Sequence, residues 1–319
     1  MNILFVGQAG NLQPWFDDVI TAVGKAHRVQ LLDPARNINE QMHNVGVVVD
    51  QGGHATRDTI DAAAQAGVRL WQVLGTGLDH VDVGYILDRG LPLANTPGQF
   101  SSVALAEHAI FFMLYFAKHF PASQTNLRDR VFYRPMTMEL AGSTLGLIGL
   151  GASGRELARR ARVFEMRILG IDVVPPPPSL DLTYLGGPDQ LETLLQRSDY
   201  VSVHVPLTTR THHLLGADQL RHMRPSSVLI NVARGEIVDQ AALVEALRAN
   251  HLRGAGIDTF AHEPLDQHDP LLELDNAVLT PHIAGGTTGT SRRRAEAVAD
   301  NVRRTAEGLP PLYTITHVE

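Results

Sequence analysis

The stretch STLGLIGLGASGRELARRARVFEMRILGID, residues 143–172, decides the fold. Its first nine residues form a short apolar run suited to a buried parallel strand. ASGRELARRARVF then carries a helical pattern that starts inside a glycine motif, and MRILGID is a second strand that ends in Asp172. Gly149, Gly151 and Gly154 stand in the spacing G-x-G-x-x-G, and seventeen residues lie between Gly154 and Asp172. Three glycines so spaced are a weak signal in a chain that has 28 of them. Placed between a strand and a helix, with an acid at the end of the next strand, they acquire a physical task.

Gly149 permits the tight turn, Gly151 lets the backbone approach a pyrophosphate, and Gly154 lets helix and strand pack closely. The helix N-terminus offers unpaired N–H groups and the positive end of its dipole to phosphate oxygens. Asp172 accepts hydrogen bonds from adenosine ribose hydroxyls and repels a 2′-phosphate. No arginine or lysine follows it before Ser179, so the expected cofactor is NAD in preference to NADP.

Outward from this unit the chain reads as two alternating series. NILFVG, RVQLL, VGVVVD and VRLWQVL supply strands in the first ninety residues, with a helix over residues 56–66. STLGLIGLG, MRILGID, YVSVHV, SVLINVA, LRGAGID and NAVLT supply strands after residue 140. Such alternation implies βαβ units and mainly parallel sheets. Between the series, residues 101–120 form a long apolar helix ended by Pro121, which connects two domains and offers a subunit interface. A last helix over about residues 288–307 packs back on the first domain. PPPP at residues 175–178 reads as a stiff surface loop. The expected domains are residues 1–97 with 288–319, and residues 98–287, which carry the glycine motif.

Composition excludes several classes. With 44% hydrophobic and 19% charged residues the chain has a soluble globular balance. It has no cysteine, which removes disulfides, thiolate metal sites and cysteine nucleophiles and suits a reducing cytoplasm. No metal site is expected. A net charge of −7 argues against a nucleic-acid partner. Arg292, Arg293 and Arg294 read as the solvated face of the last helix. The N-terminus lacks a signal-peptide pattern and no stretch is long enough to cross a bilayer, so no membrane partner is expected.

Three later segments point to chemistry. NVARGEIVD puts Arg234 after a strand, GIDTFAHEP puts Asp258 at a strand end and Glu263 in the next loop, and LTPHIAGGT puts His282 after NAVLT. All lie beyond the carboxyl ends of parallel strands, the edge of an open α/β sheet where ligands bind. Reduction of a 2-keto acid needs a proton for the developing alkoxide, and histidine is suited to give it near neutrality. A neighbouring carboxylate, Glu263, favours the imidazolium form of His282. A guanidinium, Arg234, binds a carboxylate or keto oxygen in a planar, bidentate manner. Singly, each has a structural alternative: Arg234 pairing with Asp239 or Glu236, Glu263 capping a turn, His282 as a satisfied loop residue.

Taken together, GLIGLGASG, VSVHVPLTTRTHHLL, LINVARGEIVDQAALVEAL, GAGIDTFAHEPL and LTPHIAGGT resemble the D-isomer-specific 2-hydroxy acid dehydrogenase family in order and across about 140 residues. LGTGLDHVDV and NTPG match more loosely. The resemblance implies a Rossmann NAD-binding domain inserted into a flavodoxin-like substrate domain. It implies Arg234 for substrate binding, Glu263 as partner carboxylate, His282 as acid/base and Asp258 holding the nicotinamide carboxamide. Further expected cofactor contacts are Ala152 and Ser153 in the glycine motif, His204, Pro206 and Thr211 after YVSVHV, Val232 and Ala233 before Arg234, and Gly285 after His282. Gly75, Thr76, Gly77 and Leu78 are expected to face a substrate carboxylate with backbone N–H groups. His54 in DQGGHATRD reads as a surface histidine.

DHVD and AEHAIFFML resemble the formate dehydrogenase branch, but that branch has glutamine where Glu263 stands and asparagine where Ser101 stands, so formate oxidation is disfavoured. Phe132, Tyr133 and Arg134 lie where relatives carry an aromatic–basic segment beside the substrate pocket. The expected protein is thus a cytoplasmic, homodimeric NAD-dependent oxidoreductase acting on a small 2-keto or 2-hydroxy acid. Its rivals are an NAD(H)-sensing, corepressor-like protein, against which the chain ends soon after the last helix, and a phosphite-type dehydrogenase.

Overall fold

Apolar runs of four to six residues become the strands of two separate sheets in the computed structural model, which describes residues 1–7, 13–177 and 179–317. Early strands are β1 (Asn2–Val6), β2 (Arg28–Leu31), β3 (Val45–Asp50), β4 (Leu70–Val73) and β5 (Leu93–Ala94). Next come β6 (Thr144–Ile148), β7 (Arg167–Ile171), β8 (Tyr184–Gly186), β9 (Tyr200–Val203), β10 (Val228–Asn231), β11 (Gly254–Ile257) and β12 (Ala277–Leu279). A final short strand, β13 (Thr314–Ile315), closes the series. By contacts, the chain divides into Met1–Ser101 with Gly286–Glu319, and Ser102–Gly285.

In the first unit the sheet order is β2-β1-β3-β4-β5-β13. All pairs are parallel except β13 with β5, and the order β2-β1-β3-β4-β5 is the flavodoxin-like one. Helix Thr288–Ala306 buries Ala295, Val298 and Val302 in one core with Phe5, Val19 and Val49, so the end of the chain completes the fold of its beginning. Buried Asn301 fastens this return: its amide donates to Gln72 Oε1 (2.7 Å) and its carbonyl accepts the Leu312 N–H (2.7 Å).

The second unit has the order β8-β7-β6-β9-β10-β11-β12, all parallel. The strand order reverses between β6 and β9, the point of a doubly wound sheet at which nucleotides bind. Helix Ser102–Ala117 lies flat on β11 because two glycines allow it. A β-carbon at Gly256 would collide with Phe112, and one at Gly254 with Phe116.

Three details differ from the sequence expectations. The apolar segment 101–120 is not one helix stopped by Pro121. It ends at Ala117, the chain turns through His119 at φ 45°, and a second helix, Phe120–Arg128, carries Pro121 in its first turn. A proline there loses nothing, since first-turn N–H groups have no helical partner. The strands β5, β8 and β13 escape a periodicity reading because two or three residues cannot show alternation. The run of arginines is not wholly a solvated face: Arg293 donates to Phe100 O (3.0 Å), and Arg294 donates to Thr76 Oγ1 (3.2 Å) and lies over the Trp15 ring. Residues 175–177 have no regular structure and Pro178 is outside the described residues. No helix among the described residues is long and apolar enough to cross a membrane.

Candidate active site

At the carboxyl end of β6 the chain makes the turn that the glycine spacing requires. Gly149 has φ +98°, and a β-carbon there would lie 2.8 Å from the His204 carbonyl. A β-carbon at Gly154 would collide with the Gly149 oxygen, so helix Ala152–Val163 is packed hard against the turn. Gly151, the N-cap, has open space where its β-carbon would be, and no side chain caps this helix. The N–H groups of Ala152, Ser153 and Gly154 therefore lead a helix start shaped for an anion. Asp172 closes the cradle: Oδ2 accepts the Leu150 N–H (2.5 Å) and Oδ1 that of Val174 (3.0 Å). Beneath lies His204, whose ring spans Ser202 Oγ (2.9 Å) and Ser153 Oγ (3.0 Å). Burial pushes this imidazole down to about 4, so it is neutral at neutral pH. Pro206 and Thr211 lie in the next turn, closed by Thr211 Oγ1 on Pro206 O (2.6 Å).

The turns after β10, β11 and β12 hold the second group. Asn231 ends β10; its amide nitrogen donates to Arg234 O (2.8 Å) and its oxygen accepts the Ala233 N–H (3.1 Å), which bends Val232, Ala233 and Arg234 over the sheet edge. A β-carbon at Gly235 would collide with the Phe260–Ala261 backbone, so the Arg234 turn sits directly on the loop that bears Glu263. Gln240 ties the two by accepting the Ala261 N–H (3.1 Å). Glu263 Oε1 accepts the Phe260 N–H (2.9 Å), and Oε2 meets His282 Nδ1 at 2.7 Å. Burial pushes the Glu263 carboxyl up. The hydrogen bond from His282, that from Phe260 and the charges of His282 and Arg234 outweigh it, leaving the group below the usual carboxylate range.

His282 itself stands at φ +51°, a left-handed conformation uncommon for residues other than glycine. Asp258 holds it there. Its carbonyl accepts the His282 N–H (2.8 Å), and its buried carboxylate accepts Ile283 N–H (2.9 Å), Ala284 N–H (2.8 Å) and Thr280 Oγ1 (2.5 Å). Gly285 follows with open space at its β-carbon position.

In the first unit, the loop after β4 carries Gly75, Thr76, Gly77 and Leu78. Thr96 N–H donates to Gly75 O (3.1 Å), Asn95 donates to Thr76 O (3.0 Å), and Thr76 Oγ1 donates to Thr96 O (3.1 Å). His54 is exposed. Among the described residues no group of three or more histidine, aspartate or glutamate side chains is arranged to hold a metal.

Residues 110–284 match the model of the D-isomer specific 2-hydroxyacid dehydrogenase NAD-binding domain. The glyoxylate reductase of Korarchaeum cryptofilum is 38% identical over 267 residues, covering 80% of this chain and 79% of that one. The chain belongs to the D-isomer specific 2-hydroxyacid dehydrogenase family. It is also 34% identical to the D-3-phosphoglycerate dehydrogenase of Methanocaldococcus jannaschii over 82% of its own length, but spans only 50% of that protein. Among solved structures, the NAD-complexed D-isomer specific 2-hydroxyacid dehydrogenase of Lactobacillus delbrueckii ssp. bulgaricus aligns over 99% of this chain and 100% of that one, with a TM-score of 0.82 and 25% identity. These relatives favour neither an NAD(H)-sensing role nor phosphite oxidation.

This dehydrogenase thus carries the family's NAD-binding domain, and the residues at the glycine turn fit such a cofactor. Four positioning residues escaped the sequence reading: Asn231, Gly235, Gln240 and Thr280. Gly235 alone is of a residue type that allows a close backbone approach, and its β-carbon would meet the Phe260 carbonyl.

The neutral His204 makes a prediction. Its folded value lies below the ordinary 6.5, so its contribution to stability is complete above about pH 6.5 and is lost as pH falls toward about 4. Urea unfolding of the wild type across that window should show the loss, and His204→Gln should show a shallower one. Equal slopes for the two proteins would exclude His204 as the source.

Proposed function

We propose that the chain interconverts a small 2-keto acid and its D-2-hydroxy acid, with His282 as acid/base, Glu263 as its partner and Arg234 as the substrate-binding cation. The observation that carries this reading is the 2.7 Å hydrogen bond between His282 Nδ1 and Glu263 Oε2, on a loop that packs against the Arg234 turn. NADH, when bound, supplies the hydride that reduces the carbonyl carbon. Nε2 of the protonated His282 ring gives its proton to the carbonyl oxygen as negative charge develops there, and the ring leaves neutral. Glu263, ionised and acceptor-only, keeps the Nδ1 proton in place and favours the charged ring before transfer. The Arg234 fork holds the substrate's carboxylate or keto oxygen, so that charge developing on the oxygen meets a fixed cation. In the oxidation direction the neutral ring takes the hydroxyl proton.

The first substrate to test is glyoxylate, the substrate class that the name of the Korarchaeum relative suggests. The glycine-turn helix start and Asp172 are proposed to hold the cofactor's phosphates and ribose. Gly75, Thr76, Gly77 and Leu78 are proposed as a second, backbone-borne acceptor for a carboxylate. The cysteine-free composition suits a reducing cytoplasm, where we place the activity. A second copy of the chain is proposed to cover the apolar surface between residues 111 and 138. Phe120 and Phe132 are 51% and 63% exposed there, and Met136 is 91% exposed, which is costly to leave in water.

His282→Ala should lower kcat for keto-acid reduction by about 10² to 10⁴-fold, the usual worth of a positioned acid. Glu263→Gln keeps a hydrogen-bond acceptor but removes the charge, so the upper pH limit of reduction should move to lower pH. Initial rates followed by NADH absorbance as a function of pH decide this, and an unmoved limit would sink the Glu263–His282 pairing.

Asp172 should make the wild type use NADH well and NADPH poorly, and Asp172→Ala should weaken NADH binding and relax the preference. Comparable kcat/KM for both cofactors in the wild type would refute the ribose argument. Light scattering at micromolar concentration should give twice the chain mass, and a monomer would refute the second-copy assignment.

A further inference from the structure

The His282 turn is built on Asp258, and Asp258 is itself held from behind. An ionised carboxylate only accepts, so the 2.5 Å contact with Thr280 Oγ1 uses the Thr280 hydroxyl proton. Thr280 Oγ1 is also 2.9 Å from His108 Nε2. With its own proton spent on Asp258, the hydroxyl oxygen must accept here, so His108 carries its proton on Nε2. The direction of the chain is therefore fixed: His108 Nε2–H to Thr280, Thr280 O–H to Asp258, with Asp258 taking the Ile283 and Ala284 N–H groups that flank the turn.

His108 is well placed to hold its end still. It lies in helix Ser102–Ala117, one turn before Phe112, whose ring meets the His108 ring edge-on at 4.8 Å. Phe112 is in turn pressed onto Gly256 of β11, two residues before Asp258. Helix and strand are thus in fixed register, and that register sets the distance from His108 to Thr280. Burial lowers the His108 value from the ordinary imidazole one, while the Asp258 charge works against this. A ring that stays neutral keeps one N–H for Thr280.

We propose that His108 is a positioning residue for the reaction, acting through Thr280 and the Asp258 carboxylate to align the left-handed turn that presents His282. The inference rests on the reading of His282 as the acid. Its effect should fall on kcat, because a misplacement of about 1 Å at a reacting group costs on the order of 10²-fold in rate. The Michaelis constant for the keto acid should move little, since Arg234 belongs to a different turn.

The test uses the full chain with glyoxylate and NADH. His108→Leu fills similar space without the N–H and should lower kcat about 10-fold to 100-fold, with a KM within about 2-fold of wild type. His108→Gln carries an amide nitrogen at nearly the same reach and should recover most of the rate. Thr280→Val removes the relay hydroxyl and should lower kcat to a similar extent, and the double variant should be no worse than the poorer single one. It also stands in should His108→Leu fail to fold. Wild-type kcat in His108→Leu or Thr280→Val, equal loss in His108→Gln and His108→Leu, or simple multiplication of the two single effects would each overturn the proposal. His282→Ala is the control. If it loses its activity while His108→Leu keeps wild-type kcat, this inference alone fails; if it keeps wild-type kcat, the reading of His282 fails and takes this one with it.

Discussion

Several backbone approaches in the NAD-binding unit leave no room for a β-carbon, and the rest of that unit follows from them. Gly235 sits on the Phe260–Ala261 backbone, Gly254 and Gly256 sit under Phe116 and Phe112, and Gly154 sits on the Gly149 oxygen. Each contact removes a layer of side chain between two elements. The gain is positional: turns that carry Arg234, Glu263 and His282 are held to one another through peptide groups, which have fewer ways to move than side chains do. A substitution at Gly235 would therefore disturb a turn bearing Arg234 and a loop bearing Glu263 at once.

Electrostatics then works on a frame that is already rigid. Asp258 and Glu263 occupy neighbouring turns but have different surroundings. Asp258 is buried and surrounded by peptide N–H groups and a hydroxyl, so its charge serves geometry. Glu263 is partly exposed and faces a titratable ring and a guanidinium, so its charge acts on a proton. His204 and His282 form a similar contrast. One is enclosed by two serine hydroxyls and stays neutral; the other stands at the surface against a carboxylate.

Much of the fold was legible because parallel strands buried on both faces are written as apolar runs, and the central strands of both sheets show them. The glycine turn was legible for a different reason: a backbone that must approach a phosphate tolerates no other residue at such spacing. Asp258, Glu263 and His282 stood out because they lie beyond the carboxyl ends of parallel strands, the edge of an open α/β sheet where ligands bind. What stayed hidden was pairwise. Nothing in AEHAIFFML says that His108 meets Thr280, 172 positions later, and nothing in NVARGE says that Asn231 bends its own chain back. Pro121 misled because the same residue ends one helix or starts another, depending on the conformation of His119 just before it. The strands β5, β8 and β13, of two or three residues each, were not read from the sequence.

The closure of the first unit by the end of the chain has a consequence for how the protein is made. Ribosomes deliver the sequence in order, and the second unit is complete once residue 285 has emerged. The first unit is then still without helix Thr288–Ala306 and β13, although its five early strands were synthesised first. The pairing of Thr314 with Ala94 spans 220 positions, a long loop to close. During that interval the apolar face that will receive Val298 and Val302, lined by Phe5, Val19 and Val49, is uncovered. The first unit is thus completed only after the second, and until then its sheet lacks one of its covering helices.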